Sequence, residues 1–221
     1  MDTCSVNQTN LYGFLMFSNF PDVAMCLVLI KKMVLKFKKS KNIKPDKIEL
    51  ENIFIPPGTQ SQVFNGFVTS QSNAYGLAIK IHHEKNGGVG CKWQPSSNYE
   101  GYPKILHGGI SFAILDELLA YAIFKKFQTY SVTLNSKVTW LGKVNINSEI
   151  SAKAQIKKRF WRFVRVQGEI HNHRGRKVVD MNSLFYIPSK AEFKGLVNIS
   201  MLPKEILPFC GSDQIKESDY E

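Results

Sequence analysis

The sequence predicts an α+β domain in which an antiparallel sheet wraps around one long central helix. Three observations predict it. One stretch, ILHGGISFAILDELLAYAIFKKF at 105–127, is apolar nearly all round from Ile110 to Phe124 and contains no Gly or Pro there. A helix without a polar face needs enclosure by other elements. The later segments alternate apolar and polar residues with a period of two, the signature of half-buried strands. No crossover helix separates those segments, so neighbouring strands should pair antiparallel.

The composition agrees. The chain has 221 residues, 43% apolar and 21% charged. That excludes a wholly disordered or fibrous chain and leaves room for one domain with appendages. The four cysteines, Cys4, Cys26, Cys91 and Cys210, contain no CxxC pair. Such scatter argues against a disulfide framework or a thiolate zinc site and suits a reducing, cytoplasmic setting. No metal and no cofactor is expected.

Residues 1–60 read as a basic, partly apolar extension. The stretch 11–30 is interrupted by Asn19, Pro21 and Asp22, and its clean apolar run spans only Val23 to Ile30. That is too short to cross a bilayer. Positive charge follows the stretch instead of preceding it, unlike a secretory signal. Of the net charge of +11, residues 1–47 supply +5: eight lysines less Asp2, Asp22 and Asp46. The lysine run at 31–47 reads as a solvated arm. A membrane- or nucleic-acid-binding module built on it is the alternative, with weak membrane-surface contact by residues 11–47.

Strands are expected at 76–83 and 88–94, joined through Asn86-Gly87-Gly88, because Asn-Gly supplies the positive φ of a tight hairpin. The adjoining GGVG is not a phosphate loop, since no Gly-Lys-Ser/Thr follows it. A Pro- and Gly-containing loop, SSNYEGYPK, leads into the helix, which ends at Lys125 and Lys126, where cations suit the dipole. Strands are then expected at 130–141, 146–157, 162–171 and 177–187, with a bend at 158–162 and Gly175 in the last turn. The domain is taken as 61–188 and the tail as 189–221. The end of that tail, GSDQIKESDYE, reads as disordered.

Between residues 108 and 124 the only ionisable acids are Asp116 and Glu117. A carboxylate on a buried helix is costly unless paired, bonded or functional. The same helix opens with His107, Gly108 and Gly109. Glycines there let a ligand approach free N–H groups at the positive end of the dipole, which can polarise a carbonyl. Gly108 and Asp116 are eight residues apart, about 12 Å along one helix axis. A base must come within about 3 Å of the atom it serves. If both act on one carbonyl, they come from different chains, and a C2 dimer with two shared sites is expected.

These residues resemble the hotdog-fold acyl-CoA thioesterases, specifically the PaaI-like and THEM-like branch. The resemblance rests on GYPKILHGGISFAILDE at 101–117, with Asp nine positions after His, on SVTLNSKVTW at 131–140, and on the two long strands that follow. It covers roughly 61–188. It implies a sheet wrapped around one helix, a homodimer or homotetramer, and an acyl-CoA or other acyl-thioester substrate cleaved to acid and thiol. By residue, it implies Asp116 as general base or nucleophile and Gly108 or Gly109 as donor to the thioester carbonyl. His107 would shape that turn, and Thr133 would help place water or the carboxylate. Arg159 and Arg162 are expected to meet coenzyme A phosphates, with Glu117 also on the substrate side. One departure is visible: relatives carry Asn or Gln upstream of the His-Gly-Gly, where this chain reads Asn98-Tyr99-Glu100-Gly101. A hotdog protein that binds an acyl thioester without cleaving it is the rival reading. The segment KKRFWRFVRV at 157–166 mixes cations and aromatics as some nucleic-acid surfaces do, but reads more simply as a hairpin turn.

Overall fold

A computed structural model describes residues 66–213, apart from positions 86, 199, 201, 203 and 205. The lysine-rich arm, the apolar stretch at 11–30, the Asn86 corner of the first hairpin and residues 214–221 lie outside the described residues.

The elements are β1 (Ile81–His83), β2 (Val89–Trp93), a short hairpin of β3 (Glu100–Tyr102) and β4 (Ile105–Leu106), and then α1 (Gly108–Phe127). The long strands β5 (Val132–Trp140), β6 (Ile150–Phe160), β7 (Phe163–His171) and β8 (Lys177–Tyr186) follow, then α2 (Lys190–Leu196) and a 3-10 turn at Leu207–Phe209. Six strands form one antiparallel sheet in the order β1-β2-β6-β7-β8-β5. This is the expected α+β architecture.

α1 packs against one face of this sheet. Ile114, Leu115, Leu118, Leu119 and Ile123 are at most 1% exposed and meet Val164, Val166 and Ile170 of β7 in one core. Burying side chains of this size stabilises by roughly 1.5–3 kcal/mol each. The helix can sit this close because β7 presents Gly168 beneath it. A Cβ there would lie 3.0 Å from Leu115 Cδ2 and 3.2 Å from Leu119 Cδ2.

Enclosure is incomplete, however. Gly109 is exposed, and Phe112, Ala113, Asp116, Glu117 and Ala120 are only half-buried. Their three- and four-residue spacing makes them one stripe of the helix. The uniformly apolar run predicted burial on all sides, but the sheet of one chain covers only part of the cylinder. α1 also runs one turn beyond Phe124. It ends at Gln128 in the left-handed region (φ 51°), whose N–H donates to the Phe124 carbonyl at 2.8 Å.

Three strand boundaries differ from expectation for local reasons. β1 is short because Ala78 adopts φ 51°, breaking the extended run, while Leu77 and Ile79 N–H groups bond the Phe67 and Val68 carbonyls. β6 begins at Ile150 because Asn147, with φ 63°, turns the chain just before it. The bend expected at 158–162 contracts to Trp161-Arg162, since β6 continues to Phe160 through a register shift between Ile156 and Lys158. A bulge moves every later side chain to the other face. It sends Arg159 inward and leaves Phe160 outward.

The stretch after Pro188 packs onto the domain. Ser189 and Glu192 form a capping box at the start of α2. Phe193, Leu202, Ile206 and Cys210 then build a second apolar cluster with Phe124 and Tyr130 at the far end of α1. Among the described residues, no helix is long and apolar enough to cross a membrane.

Candidate active site

The site begins where the β3–β4 hairpin delivers the chain into α1. Gly101 makes that delivery possible, because a Cβ there would lie 3.0 Å from the Cα and Cδ2 of His107. His107 is the helix N-cap, and its Nδ1 accepts from the Gly109 N–H at 3.0 Å. That bond requires Nδ1 to be unprotonated, which puts the proton of the neutral ring on Nε2. The Ile110 N–H is taken by the His107 carbonyl at 3.0 Å. Gly108 is left as the first-turn residue whose N–H has no partner among the described residues. The indole of Trp140 lies beside it, with Nε1 3.2 Å from where a Gly108 Cβ would sit. The sequence reading gave Trp140 no role, and nothing in the spacing of β5 signals one.

Two turns along, Asp116 emerges on the half-open stripe. Thr133 of β5 donates from Oγ1 to Asp116 Oδ1 at 2.9 Å. Thr133 reaches the helix because the register of β5 on β8 shifts between Thr133 and Asn135. Thr133 opposes the buried Phe185, whereas Asn135 opposes the half-buried Leu184. Burial raises the Asp116 pKa above the ordinary carboxylate value, and the Thr133 hydrogen bond works against that rise. Among the described residues no Lys, Arg or His forms an ion pair with Asp116.

Glu117 points to a different neighbour. It accepts from Thr69 Oγ1 at 3.2 Å, in the loop that precedes β1. Burial pushes its carboxyl up to about 7; the Thr69 bond lowers it, and the adjacent Asp116 adds to the rise. Thr69 also went unrecognised in the sequence, since it lies in an aperiodic stretch 48 residues upstream of its partner.

The two arginines are elsewhere. Arg159 is 7% exposed, donates from Nε to the Trp161 carbonyl at 3.0 Å and stacks its guanidinium 4.3 Å from the Phe127 ring centre. Arg162 is 9% exposed and donates from Nη1 to the carbonyls of Ile187 (3.1 Å) and Ser212 (2.7 Å). Both guanidinium groups are engaged within the chain, against the expectation of a bend open to phosphates. The bulge in β6, invisible to a count of alternation, is the reason for Arg159. Asn98 lies exposed in a short 3-10 turn ahead of β3. Among the described residues no three His, Cys, Asp or Glu cluster as metal ligands would.

Among the described residues the arrangement therefore offers an unpartnered N–H at the helix start and, about 12 Å further along the same helix, the Asp116 carboxylate, bonded to a hydroxyl and outside any ion pair. Residues 104–179 match the family described as the Thioesterase superfamily. No curated protein matches the sequence. A solved thioesterase superfamily protein is 15% identical, with a TM-score of 0.52 over 76% of this chain and 84% of its own. The PaaI protein of the E. coli phenylacetic acid degradation operon is 19% identical, with a TM-score of 0.47 over 50% of this chain and 79% of its own. Zebra fish thioesterase superfamily member 2 is 17% identical, with a TM-score of 0.46 over 49% and 80%. The family match stops at residues 104–179, and the antiparallel sheet with its long helix is a hotdog fold.

Proposed function

We propose that this chain hydrolyses an acyl thioester of coenzyme A or a related thiol, using Asp116 of one protomer and the Gly108–Gly109 helix start of another. The observation that carries this reading is Asp116 itself. It is a carboxylate on an otherwise apolar helix, held by Thr133 and free of any ion pair among the described residues. A purely structural acid at such a position would be expected to have a cationic partner.

In the reaction, the carbonyl oxygen sits against the helix start, where Gly108 has its N–H to offer while the Gly109 N–H is held by His107. Asp116 takes a proton from water as the water oxygen bonds to the carbonyl carbon. The negative charge that develops on the carbonyl oxygen is stabilised by the N–H and the dipole. The carbon–sulfur bond then breaks, the thiolate leaves with the proton, and free acid and thiol result. Direct attack by the Asp116 carboxylate, followed by hydrolysis of the anhydride, reaches the same products. A base with raised pKa is stronger than an ordinary carboxylate, which favours the proton transfer.

Dimerisation is supported by two open features. The stripe holding Asp116 is half-exposed in the single chain, and among the described residues β5 is a nine-residue edge strand. A long unpaired edge invites pairing with another copy. The reading keeps the domain at 61–188, the chain in the cytoplasm, and Thr133 and His107 as positioning groups. A panel of short, long and aromatic acyl-CoAs with thiol detection tests it. Turnover by the native chain and a loss of roughly 10²–10⁴-fold in Asp116→Asn are expected. Undiminished hydrolysis by Asp116→Asn overturns the role of the acid. Binding of every panel member without thiol release supports the non-catalytic rival.

A further inference from the structure

The segment 157–166 plays no part in the proposed hydrolysis, yet it is the most unbalanced stretch among the described residues. It holds Lys157, Lys158, Arg159, Arg162 and Arg165, three aromatics and no acid. With Arg159 and Arg162 turned inward, the surface of the β6–β7 hairpin tip consists of exposed Lys157, Lys158 and Arg165 behind exposed Phe160 and Trp161.

Register sets cations side by side at this tip. Lys158 lies directly opposite Arg165, and the next outward pair towards the turn is Phe160 opposite Phe163. Like charges facing across a ladder are destabilising. Further along the same face Glu169 lies opposite Asp180, and lysines stand between the acids: Glu169 meets Lys153 at 2.9 Å and Lys177 at 3.2 Å, and Lys177 also meets Asp180 at 3.0 Å. Beyond the cations, Phe160 is 52% exposed and Trp161 is 44% exposed at a two-residue turn in which Trp161 holds φ 51°. Large apolar rings are thus exposed at the hairpin tip, with cations one step behind them.

We infer that this hairpin tip docks on an anionic lipid surface, with Phe160 and Trp161 entering the headgroup layer and Lys157, Lys158 and Arg165 facing the lipid phosphates and carboxylates. Aromatic rings and cations in this order suit a membrane interface. Each basic residue held near an anionic leaflet adds to the attraction. Two other occupants fit less well. A second copy docked tip to tip would bring like charge against like charge. A single-stranded nucleic acid needs an open ring face for its bases. The Trp161 ring is already packed against Phe163 and Tyr186, with centroids at 6.0 and 6.4 Å, and has the Arg162 guanidinium at 5.7 Å. The inference does not depend on the thioesterase reading.

The test is cosedimentation of the full chain with phosphatidylcholine vesicles, with and without phosphatidylserine, across a salt series. Any contribution of the arm at 31–47 is common to all variants. Binding that requires phosphatidylserine and weakens with salt is expected. Lys158→Glu should weaken it by about tenfold, although the new carboxylate would face Arg165 and leave thermal stability unchanged or raised. Phe160→Ser with Trp161→Ser should weaken binding at every salt concentration. The inference is overturned if the native chain ignores phosphatidylserine, or if Lys158→Glu and the double serine variant bind like the native chain. It is overturned equally if those variants lose affinity for a single-stranded oligonucleotide but not for vesicles, if they shift the oligomeric state by light scattering, or if free coenzyme A at matched ionic strength releases the bound protein.

Discussion

Glu117→Gln gives the sharpest test of the electrostatics around the helix. In the folded chain the carboxyl holds its proton up to about pH 7, whereas its unperturbed value is 4.5. Between those values the folded state binds more protons than the unfolded state, so stability falls as pH rises through that window. A rise of this size corresponds to roughly 3 kcal/mol at about 1.4 kcal/mol per pH unit. Glu117 is half-buried, and screening by solvent reduces the expected loss to about 1–3 kcal/mol. Glutamine keeps an oxygen for Thr69 but cannot ionise. Thermal melts of both proteins from pH 4.5 to pH 8.5 should therefore coincide at the acid end. They should diverge as pH rises from about 4.5 to about 7 and stay apart above it, with the variant more stable by about 2–4 °C for each kcal/mol in a chain of this size. A melting difference that stays constant over the range would mean that burial does not hold a proton on Glu117. The account of the acid pair would then fail. Because Asp116 contributes to the rise, Asp116→Asn should shift the midpoint of this pH dependence downward.

Two further outcomes follow from the geometry. Thr133→Val removes the hydroxyl that holds the Asp116 pKa down, so the acid limb of the pH–rate profile should move to higher pH. Thr133→Ser should restore it, and an unmoved limb would separate Thr133 from the working acid. Gly168→Ala places a methyl group 3.0 and 3.2 Å from two leucine methyls of α1. It should destabilise by about 1–3 kcal/mol in urea titration through overpacking, and an unchanged midpoint would show that the helix can lift off β7 at little cost.

Much of this was legible in the sequence. Periodicity located the helix and every long strand, because alternation and apolar runs record which face meets the core. The glycines of the motif marked the helix start, and Asp116 announced itself by standing on an apolar helix. The capping box at Ser189 and Glu192 was also written in the sequence, three residues apart, but the period-based reading passed over it. Other features left no local trace. The bulge in β6 that buries Arg159 and exposes Phe160 depends on how β7 pairs with it, and a register shift costs no change in composition.

What the sequence alone determined is the architecture and the placing of Asp116 on an apolar helix, since both follow from preferences that each residue carries with it. Only the tertiary structure decided who partners whom. Thr133 for Asp116, Thr69 for Glu117 and His107 for the Gly109 N–H are pairings between groups brought within about 3 Å of each other. A hydrogen bond depends steeply on distance and angle. Such contacts exist only once the sheet has packed on the helix, and the inward turn of the two arginines belongs to the same class of fact.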